Sequence, residues 1–314
     1  MNSQAQPIAS RSPTWLDRSL YPFTSRWFET VDGPMHYVDE GAGAPIVLVH
    51  GTPTWSFMYR HLITRLARSH RVIAVDHLGF GLSAKPANAP YEPKDHARRL
   101  HALLDELQLT GLTLVVHDFG GPIGLAAALA RPDRVERLVL FNTWLWSVER
   151  DPRIASGAKM AASWFGRLLY RHLNFPVKVL MPKAVGSRRV LTATIHRHYA
   201  GPLGTPDERM SAWACARALL GASEWYEELW AQRERLRGKP MLLLWGMKDP
   251  TFGPAYLERW RGEFPHAEVH PIPSCGHFVP EEAPDEVGPL LERFVDEAPS
   301  RPAMVGRPVG ERTV

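Results

Sequence analysis

The sequence predicts an α/β protein: a mostly parallel sheet with helices on both faces and a helical cap domain over the strand ends. Short apolar runs alternate with helical patterns through much of the 314-residue chain, the texture of sheets built from strand–helix–strand units. Between Trp144 and about Arg237 the strand signal disappears into a stretch rich in Trp, Arg, Leu and Ala. With 45% hydrophobic residues, the chain can bury the core of one large domain, or of one domain carrying an insertion. The expected division is 20–143 and 238–297 for the core and 144–237 for the cap. The Pro-, Ser-, Arg- and Gly-rich ends, 1–19 and 298–314, are expected to be flexible.

In chain order, "RWFETVDGPMHYVDEG" holds two strand-like runs around Asp32-Gly33, a dipeptide suited to a tight hairpin. Six further runs read as strands: "PIVLVH" (45–50), "RVIAVD" (71–76), "LTLVVH" (112–117), "VERLVLF" (135–141), "PMLLLW" (240–245) and "AEVHPI" (267–272). Within the cap, "KMAASWFGRLLYRHL" (159–173) has a helical period. Open sheets bind ligands outside the carboxyl ends of their strands, so a helical insertion there encloses a pocket. Its aromatic side chains, among them Trp146, Trp164, Trp213, Trp225 and Trp230, suit such a lid.

The formal net charge of +4 comes from arginines that read as scattered, with only short clusters such as "WAQRERLRGK" (230–239), taken as a solvated helix face. Cys215 and Cys275 lie far apart and offer neither a disulfide framework nor a metal-ligand spacing. The first twenty residues lack the apolar core of a signal peptide. These features lead to the expectation of a soluble cytoplasmic protein that uses no metal or cofactor. Neither nucleic acid nor a membrane is expected as a partner, and monomer or homo-oligomer stays open.

The chemistry concentrates at strand tips. "HDFGG" between a strand and a helix has the layout of a nucleophile elbow, with Asp118 at the corner. A plain alternative is that Asp118 caps the following helix. Its company argues for the elbow: "WGMKDPTFG" puts Asp249 beyond one later strand, and "IPSCGHFVPEEAPDEV" puts His277 beyond the next. The order is nucleophile, acid, histidine, as in triads on this kind of sheet. Asn142, at the end of the preceding strand, cannot serve as the acid. "HGTPTWSFMYR" turns sharply after its strand, with Pro53 expected at the helix start. The oxyanion hole is assigned to the backbone N–H groups of Thr52 and Phe119.

A carboxylate nucleophile suits displacement at a saturated carbon, because the resulting ester can be hydrolysed at its carbonyl by water that His277 activates. A serine there would leave an inert ether. Small apolar substrates with a ready leaving group fit: alkyl halides, epoxides and strained lactones. An ordinary esterase would need another nucleophile, for which Ser83 in "GFGLSAKP" is the candidate.

The strings "HGTPTWSFMYR", "VDHLGFGLSAKP", "VVHDFGGPIGL", "WGMKDPTFG" and "GHFVPEEAPDEV" resemble the haloalkane dehalogenases of the α/β-hydrolase fold over roughly residues 25–296. Asp249 after the later strand resembles the branches whose acid lies late, one of which includes relatives acting on β-lactones. The resemblance implies Asp118, Asp249 and His277 as the triad, and two positions depart from it. Phe119 stands where the family has a Trp whose indole N–H binds halide, and Thr52 where an Asn is usual. A lost hydrogen bond to an ion costs roughly 1.5–3 kcal/mol, about ten- to a hundredfold if expressed in the transition state. Trp55, Trp144, Trp146 and Trp164 are expected to line the pocket. Epoxide hydrolases of this fold use lid tyrosines, for which Tyr170, Tyr199 and Tyr226 are available. The remaining alternative is a small-ligand binding protein that has lost turnover.

Overall fold

The computed structural model describes residues 13–297. Its strands are Arg26–Thr30 (β1), Gly33–Glu40 (β2), Pro45–Val49 (β3), Arg71–Val75 (β4), Leu112–Asp118 (β5), Val135–Thr143 (β6), Met241–Gly246 (β7) and Glu268–Ile272 (β8). They form one eight-stranded sheet in the order β1-β2-β4-β3-β5-β6-β7-β8. The β1–β2 hairpin and the β2–β4 pair are antiparallel, and every other pair is parallel. All the strands read from the sequence are present.

The helices are Arg60–Leu66 (α1), Pro93–Glu106 (α2), Gly120–Ala130 (α3), Pro152–Ala162 (α4), Trp164–Leu173 (α5), Met181–Ala184 (α6), Ala193–Ala200 (α7), Met210–Gly221 (α8), Ser223–Ala231 (α9), Pro254–Glu263 (α10), Val279–Glu282 (α11) and Pro284–Asp296 (α12). Successive side chains of a strand point to opposite faces, and both faces here are dry. Val47, Val49, Leu114, Val116, Leu138 and Leu140 pack with α2, α3 and α10, whereas Ile46, Leu48, Val115, Val139 and Phe141 pack with α1 and α12. Helix α3 is apolar all round because it is buried almost throughout.

Between Thr143 and Met241 the structure is helices and turns. Two local expectations are corrected. The 159–173 segment is two helices, since Ser163 takes an extended backbone (φ −74°, ψ 166°) and its Oγ accepts the Gly166 N–H at 3.1 Å, capping α5. Residues 13–19, grouped with the flexible ends on composition, are packed. Leu16 is buried, Trp15 meets Trp55 edge-on at 5.7 Å, and the Asp17 N–H donates to His198 Nε2. The same expectation for 1–12 and 298–314 lies outside the described residues.

Candidate active site

From Thr113 opposite Arg137 to His117 opposite Phe141, β5 and β6 run in register and then shift, so that Asp118 faces Thr143. At the shift Asp118 adopts a left-handed backbone, φ 53°, a conformation that costs a non-glycine residue about 1–3 kcal/mol unless its surroundings hold it. Thr143 Oγ1 does so by donating to the Asp118 carbonyl at 2.6 Å. Gly121 leaves room for that hydroxyl, since a Cβ there would sit 1.8 Å from Thr143 Oγ1. The carboxylate does not cap α3: the N-cap residue is Phe119, with no side-chain cap bond. Asp118 Oδ1 instead accepts the Thr52 N–H at 2.8 Å, and Oδ2 lies 3.4 Å from His277 Nε2. Gly51 is required by the same approach, its Cβ position falling 2.1 Å from Asp118 Oδ1.

His277 hangs from the loop after β8 with Nδ1 at 2.7 Å from Asp249 Oδ2. Asp249 in turn accepts the Thr251 N–H on Oδ1 at 2.7 Å and the Asn142 amide N–H on Oδ2 at 2.9 Å. The Asp118, Asp249 and His277 side chains are all buried. For Asp249 burial opposes ionisation, but His277 and the Thr251 and Phe252 N–H groups outweigh it and hold the carboxyl below its ordinary value. Burial would lower the His277 pKa, yet Asp249 and Asp118 on either side push it up to about 10. The two acidic side chains that flank the ring thus favour its protonated form.

Three residues that sequence reasoning did not assign to the site position it. Asn142 ties the end of β6 to the end of β7 and the loop after it: its amide N–H group also donates to the Gly246 and Phe252 carbonyls, and its Oδ1 accepts the Gly246 N–H at 2.7 Å. The signal was an amide at a strand tip where a related branch carries its acid. His117 Nε2 lies 2.8 Å from the His277 carbonyl, and burial, then the nearby His277 charge, drives the His117 pKa down to about 3. It is therefore a neutral hydrogen-bond donor to the backbone of the catalytic loop. Thr143 is the third, and its signal is only that it faces the corner residue across the sheet.

The helix-start expectation for Pro53 is corrected, because the Thr52–Pro53 peptide is cis and the first helical turn begins only at Ser56. Of the four tryptophans expected in the pocket, Trp144 alone stands beside the catalytic groups. Its ring meets Phe119 edge-on at 4.8 Å and stacks on Phe252 at 4.4 Å, while Phe252 lies 5.9 Å from the His277 ring. Trp55 is spent elsewhere: its Nε1–H donates to the His198 carbonyl and its ring stacks on Phe57. Trp146 packs among Trp230, Tyr256 and Trp260 at the base of the cap. Trp164 is 80% exposed on α5, because the buried side of that helix is the one carrying Gly166 and Tyr170.

Tyr199 is also committed, donating to Glu281, which pairs bidentately with Arg60. Ser83 is buried as a structural clip, donating to the Asp76 carbonyl and accepting the His36 N–H. The buried side-chain polar atoms that find no hydrogen-bond partner among the described residues include Trp144 Nε1, Tyr226 Oη, Thr52 Oγ1 and His117 Nδ1. The Trp144 and Tyr226 rings lie 5.8 Å apart, edge to face, and Asp118 is near enough to act electrostatically on Tyr226, whose hydroxyl burial keeps protonated far above neutrality. Buried donors are ordinarily satisfied, so these N–H and O–H groups are available to a ligand.

The alpha/beta hydrolase fold family matches residues 44–204 and 214–284. Haloalkane dehalogenase 2 of Mycobacterium tuberculosis (strain ATCC 25618 / H37Rv) is 37% identical over 281 residues, 88% of this chain and 97% of that protein. The cis-3-alkyl-4-alkyloxetan-2-one decarboxylase of Shewanella oneidensis is 33% identical over 288 residues, 89% of this chain and 90% of that protein. Among solved structures, the haloalkane dehalogenase DatA from Agrobacterium tumefaciens C58 superposes with a TM-score of 0.78 at 29% identity, covering 87% of this chain and 96% of that one.

Proposed function

Since the chain belongs to the α/β-hydrolase fold family and, within it, is similar to the haloalkane dehalogenases over most of its length, we propose that it hydrolyses small apolar halides through an ester on Asp118. In the first half-reaction a carboxylate oxygen of Asp118 attacks the carbon bearing the halogen. The carbon–halogen bond breaks, and the halide leaves with its electron pair. In the second, water attacks the Asp118 carbonyl carbon and gives its proton to His277. The Thr52 and Phe119 N–H groups hold the oxyanion, its collapse expels the alkoxide, which takes that proton as alcohol, and the Asp118 acid left behind passes its own proton to His277 to restore the nucleophile. Asp249 orients His277 and balances its positive form. The core, 20–143 with 238–297, carries this chemistry, and the cap, 144–237, closes over it.

The observation that carries this reading is the carboxylate at the elbow, 3.4 Å from His277 Nε2 with Asp249 on the far side of the ring. The raised His277 pKa also gives the two steps an order. With Asp249 and Asp118 on either side, the protonated form of His277 is favoured, and a protonated imidazole cannot act as a base. Alkylation removes the Asp118 charge and with it one of the two carboxylates that hold the proton. The imidazolium then gives its proton to solvent as the halide departs, so the neutral base forms only once the ester exists, which is when water must be activated.

Leaving-group binding cannot use the ring of Phe119. We assign it to the Trp144 indole N–H and the Tyr226 hydroxyl, with Thr52 Oγ1 as a third donor, since all three are buried and unpartnered. This donor set also favours a second reading, a ring-opening reaction on a strained lactone. There the leaving oxygen stays tethered to the acyl-side product and needs a phenol or indole donor more than a halide cradle. The similarity to an oxetanone decarboxylase points the same way.

The deciding experiment is His277→Gln incubated with a bromoalkane, an epoxide and a β-lactone in turn, followed by intact and peptide mass spectrometry. The expected result is an adduct of the substrate's alkyl mass on Asp118, absent in Asp118→Ala, with bromide released once per active site. A bromoalkane that the unaltered enzyme ignores while it consumes the β-lactone selects the second reading. No adduct and no turnover with any of the three leaves a ligand-binding protein.

A further inference from the structure

The chain's excess positive charge is not scattered as the sequence reading had it. From Pro152 to Pro206 there are nine Lys or Arg and no Asp or Glu, although the whole chain nets only +4. Two of the nine pair with acids just outside the stretch, Arg153 with Asp151 and Arg171 with Asp207. The other seven, Lys159, Arg167, Lys178, Lys183, Arg188, Arg189 and Arg197, are exposed and make no ion pair among the described residues.

The same stretch carries nearly all the large apolar side chains that the described surface exposes: Trp164 at 80%, Leu173 at 54%, Phe165 at 47%, Leu168 at 41% and Leu180 at 40%. On α5 the spacing of Trp164, Phe165 and Leu168 puts them on one side of the helix, with Arg167 and Arg171 along its border. An apolar stripe holding Trp and bordered by cations is the composition of a helix that lies in a bilayer interface.

We propose that the outer side of α5 and the turns that follow it dock on an anionic lipid bilayer. Trp164, Phe165 and Leu168 enter the headgroup–acyl boundary, and the unpaired cations meet lipid phosphates. A second copy of this chain is a poorer occupant, because a two-fold interface sets a patch against itself and would oppose the unpaired cations to one another. Single-stranded nucleic acid would use cations and stacking rings but leaves Leu168, Leu173 and Leu180 without a role. The docking does not depend on the proposed reaction, though it bears on it. A few residues beyond Leu180, the Ala184 carbonyl accepts the His277 N–H at 2.8 Å, so the docked segment leads directly to the catalytic loop, and a bilayer would present apolar substrate at the cap. This departs from the expectation of no membrane partner and concerns a surface only: among the described residues no helix is long and apolar enough to cross a membrane.

The test is sedimentation of the full chain with vesicles of phosphatidylcholine alone or of phosphatidylcholine and phosphatidylglycerol at roughly three to one. Binding is expected only to the mixed vesicles, with a loss of about tenfold or more between about 0.1 and 0.5 M salt. A further loss of about tenfold is expected in Phe165→Gln/Leu168→Gln and in Arg188→Glu/Arg189→Glu, with thermal midpoints unchanged to show that both variants fold. The proposal is overturned by equal binding to both vesicles, by no binding to either, or by variants that bind like the parent. It is also overturned if the α5 variant changes only the oligomeric state, which would assign the stripe to a second copy, or if vesicle binding vanishes with nuclease treatment.

Discussion

Trp144 and Asn142 sit two residues apart at the end of β6 and do opposite things with their hydrogen bonds. Asn142 uses its amide fully, joining the end of β6 to the end of β7 and to Asp249 in the turn that follows. Asn142→Ala leaves those buried groups unpaired, at a cost on the order of 3 kcal/mol in stability, and frees Asp249 to turn from His277. Chemical denaturation and steady-state turnover should both report the change, and a variant of unaltered stability would contradict the bridging role. Trp144 leaves its N–H unused. Trp144→Phe keeps the stacking on Phe119 and Phe252 and removes only the donor, so bromoalkane turnover should fall about ten- to a hundredfold at nearly constant thermal midpoint. Unchanged halide release would move the leaving-group site elsewhere. These assignments were beyond the sequence, because "FNTWLW" shows which side chains carry N–H groups but not which of them find partners.

The elbow and the split cap helix show how far local pattern reaches at the scale of elements. β5, the corner and α3 were legible because each obeys a local rule: an apolar run, a short polar residue, then glycines that allow close approach. The break at Ser163 was hidden, since the apolar period of 159–173 runs on across it. What breaks the helix is a side-chain cap together with Gly166, whose Cβ would lie 2.1 Å from the Met160 carbonyl oxygen. Ser163→Ala should destabilise the protein by about 1 kcal/mol, read as a shift in the denaturation midpoint, whereas Ser163→Asp or Asn should preserve it.

Across the whole molecule, the helical segment between β6 and β7 is tied to the rest by polar bonds: the Trp55 indole N–H to the His198 carbonyl, Tyr199 to the Glu281 carboxylate that also pairs with Arg60, and the His277 N–H to the Ala184 carbonyl. Buried histidines make the stability of this assembly depend on pH from both sides. Burial, then neighbouring His50 and His96 for His77 and Arg99 for His96, pushes both well below 6.5, and His117 falls to about 3. The unfolded chain binds those protons more readily, so their contribution is intact above about pH 6.5 and is lost as pH falls below it. His277, raised to about 10 against the opposition of burial by Asp249 and Asp118, contributes fully below about 6.5 and loses that contribution as pH rises towards 10. The thermal midpoint should therefore peak near pH 6–7, and His277→Gln should flatten its alkaline limb. A midpoint that climbs steadily to about pH 9 in the parent protein would rule out the favoured protonated form of His277.

The amino-acid order alone determined the strands, the mostly parallel sheet and the three side chains that meet at its edge. Each of those depends on short-range signals: apolar runs of strand length, and a polar residue one or a few positions past a strand tip, where parallel strands must converge. Only the tertiary structure decided which aromatic residues face Asp118, that Asn142 and His117 hold the catalytic loop, and that Trp164 points outward. Those outcomes turn on the rotation of cap helices about their axes and on which buried donors meet an acceptor from a distant part of the chain, and no window of neighbouring residues carries that information.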